Sequence, residues 1–468
     1  MSDILDRAND HLRKHAGKID LSQRPRYHLA PPVGWMNDPN GVCSFGGETH
    51  IFYQYFPYDS CWGPMHWGHA VTRDNCVFRH CAVALAPDRE DESGCFSGGA
   101  VVSETGELFV YYTKHFEADG VRKELQGMAR SADGLHFHKR EVPVLTEGDL
   151  PSGASREDFR DPNPVRIGGE YFLFIGSKNE RNEGQVLVYA SSDGEHFSYR
   201  NALRSPYFGE MAECPDFFSV GETDVLLVSA IGVKREGNRF LGPNSSLYFL
   251  GKFDPKACTF RIDACDEIDG GHAFYAPQTC ADESGRRLLF AWMEMWGKEY
   301  FLHRNGHGYC GAIVYPRVLS VRDGALWQSP ASGIERYRRA ADFTGEVLKC
   351  FDLSLRFAEG GSLTVSDASD EGDMLSVSLC EGRVKVDLSS CRQEPAEARF
   401  SKFAYGGEAE IRILSDVSSL EIFVADGRET FAERYYFKGE KVRIRVVGAR
   451  IEEGYELALP DEDFAIWG

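Results

Sequence analysis

The sequence contains no run of 18 apolar residues, the length a helix needs to cross a bilayer. Basic residues are also in short supply: 52 lysines and arginines stand against 72 aspartates and glutamates, for a formal net charge of -20. Nucleic acids and anionic membranes would repel such a surface. We therefore expect neither as a partner, and an uncharged small molecule fits the charge better.

The sequence also lacks paired cysteines. Its thirteen cysteines are an odd number, lie singly, and form no CxxC pair or zinc-knuckle spacing. This pattern favours reduced thiols in the cytoplasm and no structural metal. Residues 2–18 have apolar side chains at helical spacing between charged ones, which predicts an amphipathic helix and not a signal peptide.

Helical patterns are nearly absent from the first 330 residues, and short runs rich in Val, Ile, Tyr and Phe predict strands. The clearest of these runs are residues 108–113, 171–177, 186–191, 225–231 and 288–292. An internal repeat, Ser-Ala-Asp-Gly-Leu-His-Phe at 131–137, recurs at 191–197 and more loosely at 72–78, so the closing phenylalanines are 59 and 60 residues apart. Five units of about sixty residues predict a five-bladed β-propeller.

Three acidic motifs lie far apart along the chain, at residues 35–41 (Trp-Met-Asn-Asp-Pro-Asn-Gly), 159–163 (Phe-Arg-Asp-Pro-Asn) and 213–216 (Glu-Cys-Pro-Asp). Each places a carboxylate beside proline at the start of an apolar run. In a propeller the first strand of each blade lines the central channel, so the carboxylates would converge there. Two such carboxylates are what cleavage of a glycosidic bond requires.

The character of the sequence changes after residue 330. Alternating runs such as residues 353–357, 375–379 and 442–447 have the period of two that antiparallel strands show when one face is buried. We predict an all-β chain with a helical segment at 1–24, a propeller at 25–330, a linker at 331–342 and a C-terminal β-sandwich at 343–468. We expect the sandwich to be structural or to form a homo-oligomer contact.

Further blocks accompany the acidic motifs, at residues 27–28, 52–55, 62–71, 96–98, 275–278 and 419–423. With these blocks the sequence resembles glycoside hydrolase family 32, the invertase and β-fructofuranosidase group, over essentially its whole length. A single Asn-Asp-Pro-Asn-Gly would be weak support because it is also good turn chemistry. Several ordered blocks at plausible spacing are much more specific.

The resemblance implies a retaining hydrolase that releases terminal β-D-fructofuranosyl units through a covalent fructosyl-enzyme. Asp38 would be the nucleophile, Glu213 the acid/base, and Asp161 would support the transition state. The side chains expected to bind the sugar are Asn37, Gln54, Trp62, Phe96, Ser97, Arg160, Asp269 and Trp292. No metal or organic cofactor is implied.

Several alternatives stay open. Taken alone, Asp38 could be a turn former, and Arg160 and Asp161 could be a structural ion pair. Trp292 and Trp296 could each be a core residue as easily as a sugar platform. The substrate could be sucrose, sucrose 6-phosphate or a short fructo-oligosaccharide, and a phosphate would need a basic subsite such as Lys298, His303 and Arg304. Fructosyl transfer, an inverting furanosidase on a related propeller and a non-catalytic sugar-binding protein are the competing functions.

The sequence also differs from the usual family pattern at some positions. Gly270 and Ala273 stand where many family members carry larger groups, which predicts a pocket that is roomier or has different hydrogen bonds.

Overall fold

The computed structural model describes residues 3–468, which form a propeller and a sandwich built almost wholly of strands. The helices are Asp3–His15 (α1) and Phe301–Arg304 (α2), with 3-10 turns at Glu147–Asp149, Pro206–Phe208 and Ile334–Tyr337. Helix α1 lies within the predicted segment, although Ser2 lies outside the described residues. Acidic residues in its first turn and basic residues in its last turn suit the helix dipole.

Five antiparallel sheets make up the propeller, each with four strands from one stretch of sequence. The strands are Gly34–Phe45 (β1), Glu48–Phe56 (β2), His66–Thr72 (β3) and Phe78–His80 (β4) in blade 1; Gly94–Val102 (β5), Leu108–Ala118 (β6), Val121–Ser131 (β7) and His138–Lys139 (β8) in blade 2; Ala154–Ile167 (β9), Glu170–Asn179 (β10), Gly184–Ser191 (β11) and Ser198–Arg204 (β12) in blade 3; Met211–Val220 (β13), Thr223–Ile231 (β14), Asn244–Asp254 (β15) and Thr259–Glu267 (β16) in blade 4; and Tyr275–Ala281 (β17), Arg287–Trp292 (β18), Arg317–Arg322 (β20) and Ala325–Pro330 (β21) in blade 5. The two-residue strand Tyr309–Cys310 (β19) pairs in parallel with β1 and joins the last blade to the first. The predicted five-bladed propeller is confirmed.

The sequence repeat forms the turn between the third and fourth strands of a blade. Asp133 Oδ1 accepts hydrogen bonds at 2.9 Å from the backbone N–H groups of Leu135 and His136. Asp193 makes the equivalent two bonds in blade 3, and Asp74 makes them in blade 1. Because a side chain that caps its own turn needs only local sequence, the repeat marks the blades reliably.

The innermost strand of every blade has a β-bulge. The bulged residues are Asn37 and Asp38 in β1, Ser97 in β5, Asp161 and Pro162 in β9, Cys214 and Pro215 in β13, and Ala276 and Pro277 in β17. Asp161, Cys214 and Ala276 have positive φ values of 62°, 45° and 51°. A bulge re-aims its side chains and tolerates proline, which lacks a ladder donor, so these strands turn their side chains toward the axis.

The second region is one continuous sheet of ten strands that folds over on itself. Its strands are Arg338–Ala340 (β22), Glu346–Leu348 (β23), Phe351–Asp367 (β24), Asp370–Cys380 (β25), Arg383–Leu388 (β26), Ala396–Phe400 (β27), Glu408–Asp416 (β28), Ser419–Val424 (β29), Glu429–Arg434 (β30) and Lys441–Leu457 (β31). The first half of β24 pairs with β28 and its second half with β25, so this strand passes from one layer to the other. The buried apolar faces of the two layers form a core, as expected for a sandwich.

A buried charge network joins the sandwich to the propeller. Glu421 in β29 accepts hydrogen bonds from Arg317 at 2.6 Å and His28 at 2.8 Å, and Asp416 accepts another from His28 at 2.8 Å. Arg317 also donates to Asp269 at 2.8 Å. Because all of these side chains are buried and paired, the sequence blocks at 27–28 and 419–423 hold the two regions together.

We expect Arg317→Met to lower the stability of the whole chain strongly. The substitution leaves Glu421 without its guanidinium partner in a site shielded from water, which costs about 3–5 kcal/mol. Arg322→Met is the matched control in the same strand, because its ion pair with Asp426 is exposed and contributes about 0–1 kcal/mol. Thermal unfolding of both variants measures the difference, and equal midpoints would contradict this account.

No helix within residues 3–468 has the length and apolar character to span a bilayer. The division of the chain into four segments stays a prediction. The short strand β22 lies inside the predicted linker and pairs with the end of β31.

Candidate active site

A cleft of about 160 Å³ opens at the propeller axis, where the bulged strands meet. Its lining residues are Asn37, Asp38, Gln54, Trp62, Phe96, Ser97, Arg122, Arg160, Asp161, Glu213 and Trp296. Side chains from the first four blades therefore share one cavity, although they are up to 176 residues apart in sequence.

Asp38 lines this cleft and is 8% exposed. Its Oδ1 accepts a hydrogen bond from Asn37 Nδ2 at 3.1 Å, and its Oδ2 accepts one from Ser97 Oγ at 3.1 Å. Burial raises the pKa of Asp38 to about 6, and the nearby charge of Glu213 adds to the increase, while the bonds from Asn37 and Ser97 oppose it. The carboxylate is thus held in a fixed orientation but costs free energy to ionise.

Asp161 faces the same cavity from the third blade. Its own backbone N–H donates to Thr113 Oγ1 at 2.8 Å, which fixes the bulge, and its Oδ2 accepts from the Cys214 backbone N–H at 2.9 Å. The Cys214 thiol lies 3.6 Å from Oδ2 of both Asp38 and Asp161. Burial raises the pKa of Asp161 to about 7, against the charge of Arg160, so the cavity holds two carboxyl groups that are difficult to ionise together.

Glu213 is oriented by two partners. Arg160 Nη2 donates to its Oε1 at 2.9 Å, and the Tyr275 hydroxyl donates to its Oε2 at 2.6 Å. The side chain of Glu213 is 18% exposed, so one edge of the carboxyl group faces the open cleft. A group held in this way can exchange a proton with a molecule bound above it.

Arg160 is fixed in turn by carboxylates that do not face the cleft. It donates to Asp158 at 2.8 Å and to Glu124 at 3.2 Å. Burial opposes ionisation of Glu124, but the charge of Arg160 and the contacts with His115 and Arg122 lower its pKa to about 2. Glu124 is therefore a permanent anion that keeps Arg160 in place.

The structure brings together nine of the eleven predicted site residues. The three carboxylates, Asn37, Ser97 and Arg160 are described above, and Gln54, Trp62 and Phe96 also line the cleft. Gln54 is anchored by a bond from Nε2 to the Cys95 carbonyl at 3.1 Å. Trp62 is 51% exposed at the rim, and Phe96 stacks on His115 with ring centroids 3.9 Å apart.

Asp269 and Trp292 do not reach the cleft. Asp269 is held by Arg317 and Thr430 at the contact with the sandwich, which gives it a structural environment and not a sugar-facing one. Trp292 is fully buried beneath Trp296, with ring centroids 4.7 Å apart. Of the two readings left open for Trp292, its position matches the core residue.

The expected roomier pocket is also not found at Gly270. A Cβ at Gly270 would lie 2.9 Å from the Phe431 ring, and one at Gly271 would lie 2.2 Å from the Ala432 carbonyl oxygen. These glycines permit close packing against strand β30 of the sandwich. They do not widen the cleft.

Two lining residues, Arg122 and Trp296, were not assigned a binding role from the sequence. Arg122 lies in β7, outside every family-like block, so no sequence signal identified it. Trp296 was considered as a platform, and its position at the rim matches that reading. Tyr275 was recognised only as part of a block, and its contact with Glu213 depends on the bulge in β17.

Lys298 and Arg304, which the sequence suggested for a phosphate subsite, pair with carboxylates outside the cleft. Lys298 pairs with Glu294 at 2.8 Å and with Glu394 at 3.0 Å, and Arg304 lies 3.7 Å from Glu299. Neither lines the cleft, so these cations do not form the subsite that the sequence suggested.

All thirteen cysteines in the described chain are free thiols.

Comparisons of this chain with family models and with known proteins all point to one family. Residues 28–330 match the model of the glycosyl hydrolases family 32 N-terminal domain, and residues 374–458 match that of the family 32 C terminal domain. The sucrose-6-phosphate hydrolase of Escherichia coli is 35% identical over 89% of this chain and 90% of its own length. The raffinose invertase of Escherichia coli is 34% identical over 96% of this chain and 97% of its own.

A solved structure is also similar over nearly the whole chain. A mutant of the GH32 beta-fructofuranosidase of Bombyx mori, in complex with sucrose, is 30% identical, covers 97% of this chain and 99% of its own, and superposes with a TM-score of 0.84. The extent of these matches, together with the convergent carboxylates, shows that this chain belongs to glycosyl hydrolases family 32 and is a glycoside hydrolase.

Proposed function

We propose that the protein is a retaining β-fructofuranosidase that hydrolyses sucrose-type substrates. The observation that carries the proposal is the meeting of Asp38, Asp161 and Glu213 in one small cleft, each held by a separate donor. The complex of the similar Bombyx mori enzyme with sucrose supports the same class of substrate.

Each side chain has a defined task in this reaction. Asp38 attacks the anomeric carbon of the fructofuranosyl unit and forms a covalent ester, while Glu213 gives its proton to the departing oxygen. Glu213 then takes a proton from the water that hydrolyses the ester. Asp161 accepts hydrogen bonds from the sugar hydroxyls, and Arg160 holds the carboxyl of Glu213 toward the substrate.

The aromatic side chains complete the site. Phe96 and Trp62 lie 6.0 Å apart edge-to-face on one wall and present apolar surface to the furanose ring. Trp296 lies on the same cleft and is supported from below by Trp292 and Trp35. Sugars bind well against such surfaces because the apolar faces of their rings are buried while their hydroxyls reach polar groups.

Release of fructose from sucrose, sucrose 6-phosphate, raffinose and 1-kestose by the purified protein tests the proposal. We expect hydrolysis of at least sucrose or its 6-phosphate, and no fructose from any of the four would reject the function. A reaction in aqueous methanol separates retention from inversion: a retaining enzyme gives methyl β-D-fructofuranoside, and the α anomer would indicate inversion. Oligosaccharide products at high sucrose would reveal fructosyl transfer.

The pH dependence of kcat/KM should show an acid limb near pH 6. The attacking group must be ionised, and the pKa of Asp38 is raised to about 6, so activity is lost as the pH falls through this value. Ser97→Ala removes a donor that favours the carboxylate, so the limb should move to higher pH. A wild-type limb near pH 4 would contradict this account of Asp38.

Arg122 is the cation we propose for recognition of a substrate phosphate. Its Nη2 donates to Glu124 at 2.9 Å, and its side chain lines the cleft and is 36% exposed, so the guanidinium can reach a bound substrate. If a phosphate binds there, Arg122→Gln should lower kcat/KM for sucrose 6-phosphate by roughly 10- to 100-fold and change that for sucrose much less. Arg304→Gln is the control outside the cleft, and equal losses on both substrates for Arg122→Gln would exclude a phosphate contact.

A further inference from the structure

Three side chains of the kinds that bind metal ions lie close together near the rim of the cleft. Asp59 and Cys61 come from the loop between β2 and β3, and His303 comes from helix α2. One potential ligand atom from each residue lies within 4.8 Å of the other two. The loop belongs to blade 1 and the helix to the long excursion of blade 5, so the group bridges two separate segments of the chain.

The spacing suits a tetrahedral ion. Zinc bonds of about 2.0–2.3 Å place neighbouring ligand atoms roughly 3.3–3.8 Å apart. His303 Nδ1 already lies 3.8 Å from Asp59 Oδ1, so small side-chain rotations would complete the contacts. The side chains of His303 and Asp59 are 38% and 56% exposed, so an ion can reach them from solvent and water can fill a fourth position.

The chemistry of the three donors selects the metal. A thiolate and an imidazole together favour zinc, whereas magnesium and calcium prefer oxygen ligands alone. Cys61 would lose its proton on coordination. His303 Nδ1 would exchange its 2.9 Å hydrogen bond with Ser60 Oγ for a bond to the metal.

We propose that Asp59, Cys61 and His303 form a zinc-binding site that controls access to the cleft. Cys61 is adjacent to Trp62 on one wall, and Tyr300, which precedes α2, contacts Trp35 and Trp292 beneath Trp296 on the other. A bound ion would tie these two walls together and would hold Trp62 and Trp296 at fixed positions beside the path that substrate and product must take. This effect on turnover, but not the binding itself, rests on the proposed function.

Calorimetric titration of the full-length protein with zinc chloride tests the site. We expect one equivalent to bind, with affinity weakened roughly tenfold or more in both Cys61→Ser and His303→Ala. Cys380→Ser, a half-buried cysteine on the sandwich, should bind zinc as the wild type does. Magnesium chloride should give no binding. Absence of zinc binding, or equal affinity in all four proteins, would overturn the site.

The effect on turnover has its own test. Zinc should slow fructose release by the wild type over the same concentration range in which it binds, and a chelator should reverse the loss. Cys61→Ser should need a correspondingly higher zinc concentration. Equal inhibition of the wild type and Cys61→Ser would overturn the link to the cleft. Because calorimetry needs no turnover, failure of the hydrolase proposal would be recognised separately.

Discussion

Asp38→Asn should reduce kcat for sucrose by roughly 10⁴-fold or more, because the amide cannot form the covalent intermediate. The same substitution should leave sucrose binding within a few-fold of the wild type, since Asn37, Ser97 and the other lining groups are untouched. Calorimetry at high protein concentration measures binding, and fructose release measures turnover. Substantial residual hydrolysis would remove Asp38 from the role of nucleophile.

Asp38→Asn should also stabilise the folded chain at neutral pH. The pKa of Asp38 is raised from 3.8 to about 6, so the folded state pays for ionisation above that pH. The difference corresponds to about 2–3 kcal/mol, fully present above pH 6 and relieved as the pH falls toward 4. A variant that is inactive yet melts at a higher temperature cannot be explained by misfolding.

Asp133→Asn is the matched control. This aspartate caps a blade turn by accepting hydrogen bonds from two backbone N–H groups. Burial opposes its ionisation, but these two bonds and the contact with His136 hold its pKa below the usual range. Its carboxylate therefore supports the fold above the pKa of the unfolded chain. We expect Asp133→Asn to keep full activity and to melt at a lower temperature, the reverse of Asp38→Asn in both respects.

Glu213→Gln should lower kcat for sucrose by roughly 10²- to 10⁴-fold, because the amide cannot protonate the departing glucosyl oxygen. A fructoside with a 4-nitrophenolate leaving group needs little protonation. Its first step should therefore be nearly normal, and a burst of nitrophenolate should precede slow hydrolysis of the fructosyl-enzyme. Mass spectrometry of the stalled protein should detect the added fructosyl group.

Azide gives an independent check on Glu213. It attacks the fructosyl-enzyme without a general base, so it should accelerate turnover of the activated substrate by Glu213→Gln and yield a fructosyl azide. The wild type should respond little. If the activated substrate were cleaved as slowly as sucrose by Glu213→Gln, without a burst, Glu213 would not be the acid.

The blade count could be read from the sequence because its signal is local. Each Asp-Gly or Asp-Asn turn is closed by bonds within four residues, and every inner strand has a bulge, near a proline in four of the five blades. Asp38, Ser97 and Asp161 lie at these bulges, so the same periodicity placed them on one axis. Five repeats of a local pattern are sufficient to specify a radial arrangement.

The residues that the sequence suggested for the cleft, but that lie outside it, are held by contacts with distant parts of the chain. Asp269 and Gly270 precede the inner strand of blade 5, close in sequence to a family-like block, and were therefore assigned to the cleft. Their partners, Arg317, Thr430 and Phe431, lie 48 to 161 residues away. No local pattern reveals such pairings, so a carboxylate that binds sugar and one that joins two domains look identical in sequence.

The amino-acid sequence by itself determined the all-β class, the five blades and the convergence of the three carboxylates, because turn chemistry, alternation and bulges act over a few residues. Tertiary structure alone decided which further side chains reach the cleft and which stay outside it. It brought Arg122 in, left Trp292 beneath the surface, engaged Lys298 with Glu394 and placed Cys61 near His303. These outcomes depend on how loops from different blades pack together, and that packing is set by contacts between distant segments.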